Sequence, residues 1–385
     1  MHGIRGKRGF TLIELMVSVV LSFVIIGAIY TLYGQSVSAY RIEGQSMDMQ
    51  DRLRFGLEHI KRDLRRAGFL ATPNSQIDGS VCPKPTDALR AITLSTSQAA
   101  GSVYRSTENV YVRPTTMTLF GDFFSGRTYL TAGITGNQVI LQATQAFPDT
   151  QVAFNQVFNP TPSTPSRYLR LINQDQFEIY LAITGADFVS RTLTLESAVP
   201  AAGGGTLCGI TGFGEGLEVN VTGFVRYSIV PDTRPDADVG KTDLVREELQ
   251  LDGDTPLPDS QLVIADYAID MQFYDFGFDL DSVGNSPSFV QYALVDQVAD
   301  DSNGGFLGST AGTAIPHRLR YLTVKLTVRT VNEDPEFVFR PREDDKFEPL
   351  VSFDLSDMQG SCRTSSLASR VELTSLAVRN LVGGP

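Results

Sequence analysis

Cysteine and histidine are scarce, three of each in 385 residues. That excludes zinc ribbons, which need four closely spaced ligands, and small folds held by a framework of disulfides. Basic residues are outnumbered, 32 against 44 acidic, for a formal net charge of −12. Nucleic acid is therefore not an expected partner, because phosphate binding rests on clustered Lys and Arg. There is no Gly-x-Ser-x-Gly elbow, no Walker loop and no His-Glu-x-x-His. A nucleophilic cysteine wants a neighbouring histidine, and His317 is the only one after residue 68. No catalytic residue and no cofactor is expected.

What is present can fold. Hydrophobic residues make up 42% and charged residues 20%, enough for a sizeable core. The length suits one large domain or two ordinary ones.

The N-terminus is the informative end. Residues 1–9, MHGIRGKRG, carry Arg5, Lys7 and Arg8 and no acid. From Phe10 to Tyr30 the chain is nearly all apolar, about 31 Å of helix and enough to cross a hydrocarbon core. The basic flank predicts a cytoplasmic N-terminus and an exported remainder. A secretory peptide has a shorter apolar core, about 7–15 residues, although a small-residue cleavage site can be placed near Ser36-Val37-Ser38. Glu14 interrupts the span, where a lone carboxylate costs roughly 2.5–3.5 kcal/mol. It either snorkels toward the headgroups or meets a positive partner. Cleavage between Gly9 and Phe10 would create one, a free amine at Phe10.

The segment Arg8-Gly9-Phe10-Thr11-Leu12-Ile13-Glu14 resembles the class III signal of type IV prepilins and type II secretion pseudopilins. The resemblance covers the first tenth of the chain. It implies that a prepilin peptidase cuts after Gly9 and N-methylates Phe10, and that Glu14 serves entry into a filament.

Between Leu32 and Gly68 the pattern turns amphipathic without a proline. Met49, Leu53, Leu57, Ile60, Leu64 and Ala67 form a helical stripe, and charges fill the other faces. Gly34, Gly44 and Gly56 each weaken the helix by about 1 kcal/mol and permit bending. Arg62-Asp63-Leu64-Arg65-Arg66-Ala67-Gly68-Phe69 suits a helix end, with cations in the last turn and Gly68 as the left-handed cap. The same string resembles the segment after the long helix in PilW-type minor pilins. His59 is expected to be an exposed helix residue.

After Phe69 the period changes to alternation. Leu217–Ile229 and Leu322–Arg329 alternate apolar and polar residues, the pattern of antiparallel strands with one buried face. Further strands are expected at Val110–Leu119, Gln138–Ala143, Tyr168–Ile183 with a turn near Asn173–Gln176, Arg191–Ala198, Ala268–Phe273 and Arg370–Arg379. Loops are expected at Phe158–Arg167, Ala201–Gly216, Pro231–Gly240 and Val298–Thr313. Two more strings are similar to the PilW pattern: Leu262–Asp275, with a turn leading into a strand that ends in Tyr, and Val371–Asn380, a closing strand.

Acid-rich loops raise the question of calcium. Asp275, Asp279 and Asp281 with Asn285, or Asp300 and Asp301 with Asn303, could offer oxygen ligands, but neither has EF-hand spacing. A solvated acidic surface is the expectation, with no metal. Cys82, Cys208 and Cys362 lie in a region expected outside the cytoplasm, where one disulfide can persist. Cys82–Cys208 is the expected pair, since both sit in Gly/Pro-rich loops. Arg318, Arg320, Lys325 and Arg329 are expected on the solvent side of a strand.

The expected fold is α+β and type IV pilin-like: a leader at 1–9, a helix at 10–68 and a mostly antiparallel β ectodomain at 69–385. Residues 10–30 of the helix would serve membrane and filament core, and 31–68 would be amphipathic. The resemblance implies a minor pilin that joins a complex priming pilus assembly at the tip. Its partners would be prepilin peptidase, other minor pilins, the major pilin and a pilus-tip adhesin. It would sit in the inner membrane before assembly and in the extracellular pilus afterwards. One alternative is a J-type minor pseudopilin of type II secretion. Another is a membrane-anchored periplasmic binding or hydrolytic domain that keeps residues 1–9.

Overall fold

One helix, α1 (Leu12–Arg65), carries the apolar run and the amphipathic stretch that follows it. The computed structural model describes residues 11–96, 112, 114–159, 164–200, 212–238, 240–282, 286–294, 298, 306–307, 315–334 and 361–378. The chain divides into two compact units, Met1–Asp51 and Arg52–Pro385. In the first unit, Leu12, Phe23 and Tyr30 are 71–78% exposed, as befits a helix whose apolar surface faces neither water nor its own chain in use.

The second unit holds the end of α1 and all of the sheet structure. Leu53, Leu57, Ile60, Leu64 and Ala67 are buried as the stripe predicts, each Leu or Ile contributing about 1.5–3 kcal/mol. α1 runs without a break through Gly56. A Cβ there would lie 2.7 Å from Leu326 Cδ2 and 3.3 Å from Ala265 Cβ, so the missing side chain lets the helix approach the strands closely. The helix stops at Arg65 in tight turns, with Arg66 N bonded to Asp63 O and Ala67 N to Leu64 O. Gly68 follows at φ +68°, the left-handed position that favours glycine.

Among the described residues the remaining elements, in chain order, are β1 (Ile92–Ser95), β2 (Thr116–Gly121), β3 (Tyr129–Thr135), β4 (Gln138–Leu141), α2 (Gln151–Phe158), β5 (Tyr168–Ile172), β6 (Glu178–Asp187), β7 (Thr192–Leu195), β8 (Glu218–Pro231), β9 (Thr242–Glu248), β10 (Leu262–Asp266), β11 (Ala268–Ser282), β12 (Ser286–Leu294), β13 (Leu319–Asp334), β14 (Ser361–Glu372) and α3 (Thr374–Val378). Their strand ladders are antiparallel.

β8 organises the fold because its two halves pair with different strands of one ten-stranded sheet. Its first half lies between β3 and β5, and the circuit β8-β3-β4-β7-β6-β5 returns to β8, a closed barrel without edges. The barrel is filled by residues such as Tyr129, Leu169, Ile183, Leu193 and Val219. α2 contributes Phe154 and Phe158 to that core, both fully buried, with ring centroids 4.7 Å apart. The second half of β8 lies between β2 and β9 in the order β1-β2-β8-β9-β10. A separate sheet runs β12-β11-β13-β14.

Several expectations change here. β8 and β13 are buried on both faces, since Asn220, Thr222, Lys325 and Arg329 are buried along with the apolar residues that alternate with them. Lys325 and Arg329 are therefore not on a solvent face. Arg329 donates to Gly240 O and Thr330 O and lies over the Tyr267 ring. The strand expected at Arg370–Arg379 ends at Glu372 and gives way to α3, and the last residues of Val110–Leu119 belong to β2, which begins at Thr116. In Leu262–Asp275 the opening residues form β10, and Tyr267, at φ +56°, makes the turn into β11.

Candidate assembly site

Thr11 precedes the first helical residue and Glu14 follows three positions later, a capping box. Thr11 N and Thr11 Oγ1 both donate to Glu14 Oε2 at 2.9 Å, and Glu14 N donates back to Thr11 Oγ1 at 3.3 Å. The carboxylate thus satisfies the Thr11 N–H at the end where the macrodipole favours an anion. Glu14 Oε1 has no hydrogen bond among the described residues. The positive partner expected for Glu14 is not the whole account of its position, because its own helix already supplies donors. Gly9 and Phe10, the expected cleavage and methylation site, lie outside the described residues.

Behind this cap, an 18-residue window of α1 reaches a mean hydropathy of 2.6 with none of it buried. Length and composition suffice to cross a membrane.

The far end of α1 is anchored by a polar network. Asp63, 2% exposed, accepts from Tyr227 Oη at 2.8 Å and from Arg246 Nε at 2.7 Å, both at Oδ2. His59 Nδ1 lies 2.8 Å from Tyr227 Oη, and Arg62 Nη2 lies 2.7 Å from His59 Nε2. Arg62 can only donate, so Nε2 must accept and Nδ1 must carry the proton. Nδ1–H then donates to Tyr227, whose own proton goes to Asp63. Burial, with the adjacent Asp63 charge, pushes the Tyr227 pKa far above its ordinary value, so the hydroxyl stays protonated as donor. His59 is accordingly half-buried and engaged, not the exposed residue expected.

Two of the acidic residues considered for calcium are otherwise employed. Asp279 Oδ2 pairs with Arg320 Nη2 at 3.1 Å, and Asp275 Oδ1 accepts from Gln291 Nε2 at 3.2 Å. The Asp281 side chain, Asn285, Asp300, Asp301 and Asn303 lie outside the described residues. Among the described residues, no group of three His, Cys, Asp or Glu is placed to hold a metal ion. Cys82 is disulfide-bonded, and Cys362 is buried and in no disulfide. Cys208 lies outside the described residues.

Residues 4–30 match the family model described as the prokaryotic N-terminal methylation motif. Neither the curated proteins nor the solved structures contain a match to the chain. The matched segment includes Gly9, Phe10, Thr11 and Glu14 and extends through the apolar run of α1. This match supports a type IV pilin-like protein, a structural subunit processed by prepilin peptidase and assembled with other pilins, and it fits an inner-membrane anchor that later enters a pilus.

Proposed function

We propose that this chain is a PilW-like minor pilin, a subunit of the complex that primes type IV pilus assembly at the tip. The observation that carries this reading is the methylation motif at 4–30 joined to an exposed apolar helix that begins in a Thr11–Glu14 cap. Prepilin peptidase removes residues 1–9 and methylates Phe10, with the N-terminus on the cytoplasmic side. The apolar helix then leaves the inner membrane for a bundle of like helices. Lipid is as apolar as leucine, so close packing and polar pairing must favour the bundle. Glu14 supplies the pairing: Oε1, unpartnered among the described residues, meets the Phe10 amine of a neighbouring subunit while Oε2 keeps its helix cap. A Cys82–Cys208 disulfide holds the ectodomain. The other minor pilins, the major pilin and a tip adhesin are the partners.

The test is incorporation. Glu14→Ala should leave cleavage intact and reduce the subunit in sheared pili, measured by quantitative mass spectrometry. Normal incorporation of that variant would remove the pairing role. Recovery of the wild-type subunit with a type II secretion pseudopilus instead of pili would move the reading to the J-type alternative.

A further inference from the structure

A sheet edge exposes a row of backbone N–H and C=O groups, and folded chains blunt such edges with short strands, bulges, proline or charge. The described sheets end in β1, β10, β12 and β14. Three of these are blunted. β1 has four residues, and Leu94 N is taken by Leu307 O. β10 has five and is bulged between Val263 and Ala265. β12 carries Pro287. β14 is the exception. It runs for 12 residues, and its ladder with β13 is unbroken from Thr364 to Glu372. Thr364–Ser369 reads TSSLAS, without charge, proline or glycine. Ser366, Leu367 and Ala368 are exposed in succession, and successive residues point to opposite faces, so the middle of the strand is open to solvent on both.

The charges stand at its end. Arg370 and Glu372, both exposed, lie two positions apart and share one face. The Arg370 guanidinium lies 3.3 Å over the centre of the Tyr321 ring, which fixes its direction, and no carboxylate pairs with it among the described residues. These facts select the kind of partner. A helix or a folded surface laid along the edge would bury its N–H and C=O groups unpaired, an unfavourable burial. A second extended chain matches them group for group, and the small side chains at Ser365, Ser366, Ala368 and Ser369 leave it room. Opposite charges stabilise when they face each other across strands, and like charges oppose pairing. Arg370 therefore asks for an acid opposite it, and Glu372 for a base two positions along.

We propose that the outer edge of β14, Ser365–Glu372, accepts an extended segment of a neighbouring subunit as a fifth strand of its sheet, with an acidic residue of that segment against Arg370. The inference rests on the reading of this chain as an assembled pilin subunit. The test compares amide hydrogen exchange over residues 361–373 in the full-length subunit, solubilised in detergent, with exchange of the same stretch in sheared pili. Exchange over 365–372 should slow by about tenfold or more on assembly, a backbone readout that side-chain docking alone would not give. Arg370→Glu, which sets like charges opposite each other, should lower incorporation by about tenfold, and Arg370→Lys should keep it, both with an unchanged melting temperature because the position is exposed. Wild-type subunit present in pili with unslowed exchange over 365–372 would overturn this proposal and leave the functional reading standing. Slow exchange already present in the unassembled subunit, or full incorporation of Arg370→Glu, would overturn it as well. Absence of the subunit from pili would overturn both.

Discussion

Tyr227 Oη donates a 2.8 Å hydrogen bond to Asp63 Oδ2, and through it the central strand β8 grips the last turn of the long helix. Arg246 Nε shares the same oxygen from β9. Removing Asp63 leaves a half-buried guanidinium and a buried hydroxyl without their acceptor. Asp63→Ala should therefore destabilise the protein by about 3–5 kcal/mol, whereas Tyr227→Phe, which spares the Asp63–Arg246 pair, should cost about 1 kcal/mol. Thermal denaturation of the two variants beside wild type checks both the order and the gap.

Gly56 yields a prediction of the opposite sign from helix propensity. Gly56→Val drives a side chain into Leu326 and Ala265 and should cost about 1–3 kcal/mol by overpacking. Gly44 has nothing within 4 Å of its would-be Cβ, so Gly44→Ala should gain about 1 kcal/mol of helix stability in the unassembled subunit. Circular dichroism melts distinguish the pair. Equal behaviour of the two variants would contradict the close approach at Gly56.

His317 is 3% exposed, and its Nδ1 has no hydrogen bond among the described residues. Burial first, then Arg318 and Arg320, push its pKa down to about 4. The folded chain keeps the ring neutral where the unfolded chain would protonate it. Stability is therefore unaffected above about pH 6.5 and falls as pH drops from there toward 4, by about 3 kcal/mol at the limit. His317→Phe removes the titration, so the difference in melting temperature between pH 7 and pH 4.5 should shrink relative to wild type.

The parts legible in the sequence were those with a strong period or a local rule. The Leu53–Ala67 stripe, the Gly68 cap and the alternation along β8 each came from spacing alone. The Thr11–Glu14 capping box is equally local, a threonine followed three residues later by a glutamate. Burial on both faces of β8 and β13 was not legible, because polar residues such as Asn220 and Arg329 look solvent-facing until their partners arrive from distant parts of the chain. Asn220 receives Arg170, and Arg329 reaches Gly240. The barrel was hidden for the same reason. Its closure depends on β5 returning to β8, a pairing between residues about fifty positions apart that no local pattern encodes. Asp63 stands among the charges of the helix end, and its buried role rests on Tyr227 and Arg246, more than 160 residues downstream.

The account stands most directly on the state of the N-terminus. Intact-mass analysis of the membrane form, expressed with and without prepilin peptidase, reads it in one step. The account predicts a chain that begins at Phe10 and carries one added methyl group when the peptidase is present, and full-length protein when it is absent. A chain that retains residues 1–9 in the presence of active peptidase would contradict it.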